Sequence, residues 1–157
     1  GFKRKIYKNG AYYEAFGGQN MKIDSIKNGI VIDHIQAGLG MQLYNLLGLG
    51  NLDCSVALIK NAASSKLGKK DIIKIDGDVS ISFDVIGFID PDATVNIIKD
   101  GKLVQKLCIT APERIVNVVK CKNPRCITST EQQLDQIFRL TDADTKTYRC
   151  IYCDSKL

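Results

Sequence analysis

The sequence predicts an α+β chain of two units, and three observations carry that prediction. β-rich runs alternate from residue 21 to about 109, with one run at helical spacing among them. An Ala111-Pro112 step then punctuates the chain. Beyond it the composition changes, and four of the six cysteines fall between 121 and 153.

The elements follow in order. Residues 1–20 are rich in Gly, Lys and Tyr without a sustained period, and read as a tail or an added extension outside the fold. From Met21, the alternation of Lys22 and Asp24 with Ile23 and Ile26 predicts a strand. Asn28-Gly29 predicts a hairpin turn into Ile30-Val31-Ile32-Asp33-His34-Ile35. Met41, Leu43, Tyr44, Leu46 and Leu47 fall at helical spacing, with glycines at both ends. Residues 55–60 read as strand, 64–70 as a polar loop and 71–75 as strand again. The 79–89 run admits either state: its β-branched residues favour strand, its length and breakers allow helix. The clearest element is a hairpin, 93–98 and 103–109 around Asp100-Gly101, a pair that tolerates positive φ.

Composition bounds the function. With 157 residues, 45% hydrophobic and 25% charged, the balance is that of a globular protein. That excludes disordered, collagen-like and toxin-like classes. Lys+Arg 22 against Asp+Glu 17 leaves +5, which permits an anionic partner without demanding one. No run approaches the ~20 apolar residues of a membrane span, and residues 1–20 carry no signal-peptide pattern. The expectation is a cytoplasmic chain with reduced cysteines and no membrane partner.

Cys121-Lys-Asn-Pro-Arg-Cys126 and Cys150-Ile-Tyr-Cys153 are two knuckles, C-x₄-C and C-x₂-C. Each turn presents two thiolates to one ion, and four sulfurs in a tetrahedron suit Zn²⁺. Such a site has no open position for water, so the metal is structural. Two disulfides, or a redox C-x₂-C beside unrelated thiols, are the alternatives. Cys54 and Cys108 sit in apolar strand-like runs and read as small core residues.

Other chemistry is missing. Gly68-Lys69-Lys70 lacks the rest of a phosphate loop, and Gly38-x-Gly40 and Gly48-x-Gly50 are fragments of a dinucleotide fingerprint. The one histidine, His34, has no nucleophile signature around it. A self-contained enzyme is the poorer reading, and no catalytic residue is assigned.

Taken together, Asp33-His34-Ile35, Gly68-Lys69-Lys70-Asp71-Ile72-Ile73-Lys74-Ile75, Ala93-Thr94-Val95-Asn96 and Pro112-Glu113-Arg114-Ile115, followed by the two knuckles, resemble the regulatory chain of aspartate carbamoyltransferase. The resemblance spans about 21–157. It implies an N-terminal antiparallel sheet with two helices (ferredoxin-like) at 21–112, then a small all-β zinc-ribbon-like unit at 113–157. It also implies a non-catalytic allosteric subunit of pyrimidine biosynthesis that binds ATP or CTP, pairs with itself and docks on catalytic chains through its zinc unit. Asp33, His34, Lys74, Asn96 and Lys106 match the family's nucleotide contacts. Ile23, Ile26, Val31, Ile98 and Leu103 match its apolar lining. Cys121, Cys126, Cys150 and Cys153 match its zinc ligands, and Asn123 a contact to the catalytic chain. The alternative is a zinc-ribbon nucleic-acid-binding or transcription-associated module. Nucleic acid is not an expected partner, because the chain offers only a thin basic and aromatic face around Tyr148, Arg149 and Tyr152.

Overall fold

A computed structural model describes Lys3–Lys8, Ala11–Phe16 and residues 25–157. Two strands, β1 (Lys3–Lys8) and β2 (Ala11–Phe16), pair antiparallel in the segment that reads as a featureless tail.

The larger unit is a five-stranded sheet covered by two helices. Its elements are β3 (Gly29–Gln36), α1 (Gly40–Leu46), β4 (Ser55–Ser64), β5 (Gly68–Asp76), α2 (Phe83–Ile89), β6 (Thr94–Lys99) and β7 (Lys102–Cys108). The strand order is β4-β5-β3-β6-β7, and every neighbouring pair is antiparallel. The expected α+β sheet-and-two-helix architecture is therefore present. The core follows from period-2 alternation: Ile30, Ile32, Ile35, Ile73, Ile75 and Val95 point to one side, where Leu43 of α1 and Val85 and Ile86 of α2 meet them. Val31, Lys74 and Asn96 stand on the other face.

Two buried aspartates fasten the loop that leaves the central strand. Asp71, fully buried, accepts N–H groups from Gly38 (3.0 Å), Gly40 (3.1 Å) and Asn61 (2.9 Å). Asp90 accepts from Gln36 (2.7 Å) and Asp92 (3.1 Å). Backbone donors thus neutralise what burial of a lone carboxylate would otherwise cost.

The ambiguous 79–89 run contains α2. Ser82 caps it, its hydroxyl accepting from Val85 N–H, and Asp84 occupies the first turn. The predicted Asn28-Gly29 hairpin turn is not one among the described residues. Ser25 and Ile26 lie outside any strand, and Gly29 opens β3 against β5 and β6. A side chain there would collide with the Ile75 carbonyl, and Asn28 accepts the Asp100 N–H instead. The predicted 64–70 loop is shorter, since Ser64 and Gly68 pair as the last rung of the β4–β5 hairpin. The β6–β7 hairpin turns on Asp100 (φ 51°) and Gly101 (φ 72°), the positive-φ pair that a two-residue turn requires. Cys54 packs on the core, but Cys108 is exposed. It pairs with Thr94 on the outer face of edge strand β7, whereas its neighbour Leu107 packs on the core.

The smaller unit carries β8 (Arg114–Val116), a single helical turn α3 (Ile127–Thr130), β9 (Ile137–Asp142) and β10 (Thr147–Cys150), with strand order β10-β9-β8. Ile115, Cys126, Phe138, Tyr148 and Cys150 form its core. Phe88 of α2 meets Tyr148 edge to face at 5.2 Å, and the Tyr148 hydroxyl donates to the Pro112 carbonyl at 2.7 Å. Among the described residues no helix is long and apolar enough to cross a membrane.

Candidate functional sites

The four knuckle cysteines converge. Cys121, Cys126, Cys150 and Cys153 hold their sulfurs within 4.8 Å of one another, and none of the six cysteines is paired in a disulfide. Cys121 and Cys153 are 3.7 Å apart, Cys126 and Cys150 3.8 Å. A disulfide needs ~2.05 Å, whereas a tetrahedron of ~2.3 Å metal–sulfur bonds places its corners ~3.8 Å apart. The geometry thus fits one tetrahedral ion and not two bridges.

Local backbone makes that convergence possible. In the first knuckle the Cys126 N–H donates to the Asn123 carbonyl, and in the second the Asp154 N–H donates to the Cys150 carbonyl. Gln136 stitches the first knuckle to the fold, accepting from Cys121 N–H (2.9 Å) and donating to the Thr128 carbonyl (3.2 Å). The Thr128 hydroxyl lies 3.1 Å from the Cys126 sulfur, placed to donate to a thiolate. Burial pushes the Cys121 thiol up to about 12 and raises Cys150. Hydrogen bonds from the Ser155 hydroxyl and backbone pull Cys153 down to about 6. Sulfurs this close ionise together only around a cation. Gln136, Thr128 and Ser155 carry no motif, so spacing does not reveal them.

Asn123 turns into its own knuckle, where its Oδ1 accepts the Arg125 N–H (3.0 Å) and its carbonyl the Ser129 hydroxyl (2.9 Å). Beside this knuckle, a recess of about 600 Å³ lies between residues 117–121 and 128–136.

The second candidate is the uncovered face of the five-stranded sheet. Strand register puts Ala57, Lys74, Val31, Asn96 and Lys106 in one row across β4, β5, β3, β6 and β7. With strands ~4.8 Å apart, the two lysines stand ~14 Å from each other along that row. Ile98 and Leu103 pair in the next row, Leu103 being 59% exposed. Asp33 and Thr94 pair on the other side. The buried Ile26 lines, with Lys74 and Asp76, a recess of about 280 Å³ at the Lys74 end. Ile23 lies outside the described residues.

His34 sits in a break of register between Ile32 and Ile35, with φ at 59°. This bulge turns its ring along the sheet, where Nδ1 is 3.0 Å from the Thr94 hydroxyl. Asp33 accepts the His34 N–H (2.7 Å) and pairs with Lys70 at 2.8 Å. Burial pushes the Asp33 carboxyl up, but Lys70 and the His34 N–H outweigh it and hold the group below its ordinary value. Lys70 and Thr94 lay outside the sequence-derived set of contacts, because only the bulge brings them to Asp33 and His34. One polar atom on the face is buried without a partner, the Oδ1 of Asn96.

Comparison with known proteins matches both units of the chain. Residues 21–110 match the family model of the aspartate carbamoyltransferase regulatory chain, allosteric domain, and 113–157 that of its metal binding domain. A regulatory chain from Clostridium botulinum (strain Hall) is 54% identical over 134 residues, covering 85% of this chain and 92% of the relative. One from Clostridium tetani is 52% identical over 135 residues, covering 85% and 94%. One from Bifidobacterium longum is 43% identical over 136 residues, covering 87% and 98%. The convergent thiol cluster behind an α+β sheet and these matches together place the chain in the family of aspartate carbamoyltransferase regulatory chains, the non-catalytic partners of that enzyme.

Proposed function

We propose that the open sheet face binds ATP or CTP as an effector, and that a zinc-centred C-terminal unit docks on the catalytic chains in pyrimidine biosynthesis. In this reading 21–112 is the nucleotide unit, 113–157 the docking unit and 1–20 an extension, in a cytoplasmic chain that pairs with a second copy. The observation that carries the nucleotide assignment is the orphaned Asn96 oxygen, set in register between Lys74 and Lys106. A buried acceptor without a donor costs about 1–3 kcal/mol, and a base amine or ribose hydroxyl would supply the donor. Lys106 is the phosphate partner, His34 a hydrogen-bond donor, and Lys74 and Asp33 serve the ribose. Val31, Ile98 and Leu103, with Ile26 and Ile23, pack against base and sugar. A nucleotide held on open strands needs no glycine loop.

Four sulfur donors suit Zn²⁺, which supplies the cross-link between the knuckles and leaves no position for a reacting water. Asn123 belongs to the docking surface. Regulation then requires that the effector bind the two global states of the assembly with different affinities.

Titration calorimetry tests the nucleotide site on the full chain. Lys106→Ala is expected to weaken CTP and ATP binding about tenfold or more, the loss of one charge-assisted hydrogen bond, with metal content unchanged. Equal affinity in both proteins removes Lys106 from the site, and no binding by the native chain overturns the reading.

A further inference from the structure

The outward face of the small sheet carries an arrangement that the metal centre does not explain. Arg114 pairs with Arg139, Arg139 with Arg149, and Arg149 with Lys156, so four cations stand in one cross-strand row. Directly opposed residues are ~5 Å apart at Cβ, and like charges there repel. One carboxylate relieves the row only in part: Asp154 lies 3.3 Å from Arg139 and 3.9 Å from Arg149. Among the described residues Arg114 has no carboxylate partner. The adjoining row is apolar: Val116 pairs with Ile137, whose carbonyl accepts the Ile151 N–H. Val116 and Ile151 are 46% and 39% exposed.

We infer that this basic and apolar face is the surface through which the small unit grips an acidic patch on a catalytic chain. The inference rests on the docking reading above and names the face and the chemistry of its partner. Three observations choose a protein as occupant. An arginine row flanked by exposed aliphatics matches the composition of protein interfaces, where Arg is enriched and an apolar strip excludes water. Phe138 and Tyr148, the aromatic residues of these strands, are buried in the core, and Tyr152 beside them is a single exposed ring, too little for the stacking platform a nucleic acid uses. The face is also rigid from behind: the layer beneath the cations contains Ile115, Phe138 and Cys150, so the metal centre fixes the row from its inner side. The repulsion stored in the row is released when acidic groups meet it, which gives steering as well as contact.

The test uses the metal-loaded chain and its catalytic chains, with association followed from low to moderate salt. The native pair is expected to weaken steeply as salt rises. Arg114→Glu with Arg139→Glu is expected to lower affinity at least tenfold and flatten the salt dependence, with metal content and nucleotide affinity unchanged. If that reversal lowers metal content, Arg114→Gln with Arg139→Gln replaces it, with a several-fold loss expected. Association and salt dependence equal to native in the folded variant overturn this face while leaving the docking reading intact. A native chain that does not associate with catalytic chains overturns both. Retardation of random-sequence duplex DNA by the native chain near 0.15 M salt assigns the row to nucleic acid and overturns the inference.

Discussion

The two halves of the molecule solve the problem of holding together in different ways. The sheet unit buries Ile30, Ile32, Ile35, Leu43, Leu49, Ile73, Ile75, Val85, Ile86, Ala93 and Val95, an aliphatic cluster. The small unit buries Ile115, Cys126, Phe138, Tyr148 and Cys150, and two of these five belong to the four-cysteine cluster. Each fully buried aliphatic contributes about 1.5–3 kcal/mol, so the first cluster suffices for a domain of this size and the second does not. One half is therefore stable by burial and the other by coordination.

Removing the metal should separate the halves most sharply. Ion binding in structural sites is worth about 10–16 kcal/mol at neutral pH, at least as much as burial of five core residues at about 1.5–3 kcal/mol each. After treatment with a mercurial or strong chelator, backbone amides of 113–157 should exchange freely while those of β3, β5 and β6 stay protected. Equal protection of 113–157 with and without metal would refute the contrast.

Next comes Asp71, the fastener of the sheet unit. Asp71→Ala orphans the N–H groups of Gly38, Gly40 and Asn61 and should cost about 3 kcal/mol or more. The loss should appear in the urea transition of the sheet unit, with metal content unchanged. A variant as stable as native would show that water replaces the carboxylate.

Asp33 gives the smallest effect and a pH signature. Its folded pKa lies below the ordinary value, so its contribution is full above the unfolded value of ~3.9 and is lost as pH falls through the lower, folded one. The pair with Lys70 is partly exposed, which limits the loss in Asp33→Asn to under about 1 kcal/mol at pH 7. Below pH ~3.9 the native and variant proteins should converge. A gap constant across that range would deny the carboxylate any role in the bulge.

The same contrast sets what was legible in the sequence. The thiol cluster is readable because each cysteine pair is local, with four or two residues between its members, and only the meeting of the pairs is not. The β6–β7 hairpin was readable because Asp100-Gly101 fixes its own turn. α2 was not decided by its residues. Val85, Ile86 and Ile89 suit either state, and tertiary closeness matters: a Cβ on Gly87 would collide with the Thr110 carbonyl. Cys108 is exposed against expectation because an edge strand has two faces, and composition does not say which one is covered. The Asp33–Lys70 and His34–Thr94 contacts depend on a bulge between Ile32 and Ile35, and the arginine row on strand register, both products of the folded sheet.

Phe88 and Tyr148 touch edge to face across the boundary between the halves, and Cys150 follows two residues later. Gly87, beside Phe88, rests against the Thr110 backbone with no space for a side chain. The end of α2 therefore bears, through one phenol ring, on the strand that ends in Cys150, so the aliphatic half and the sulfur cluster share a packed boundary.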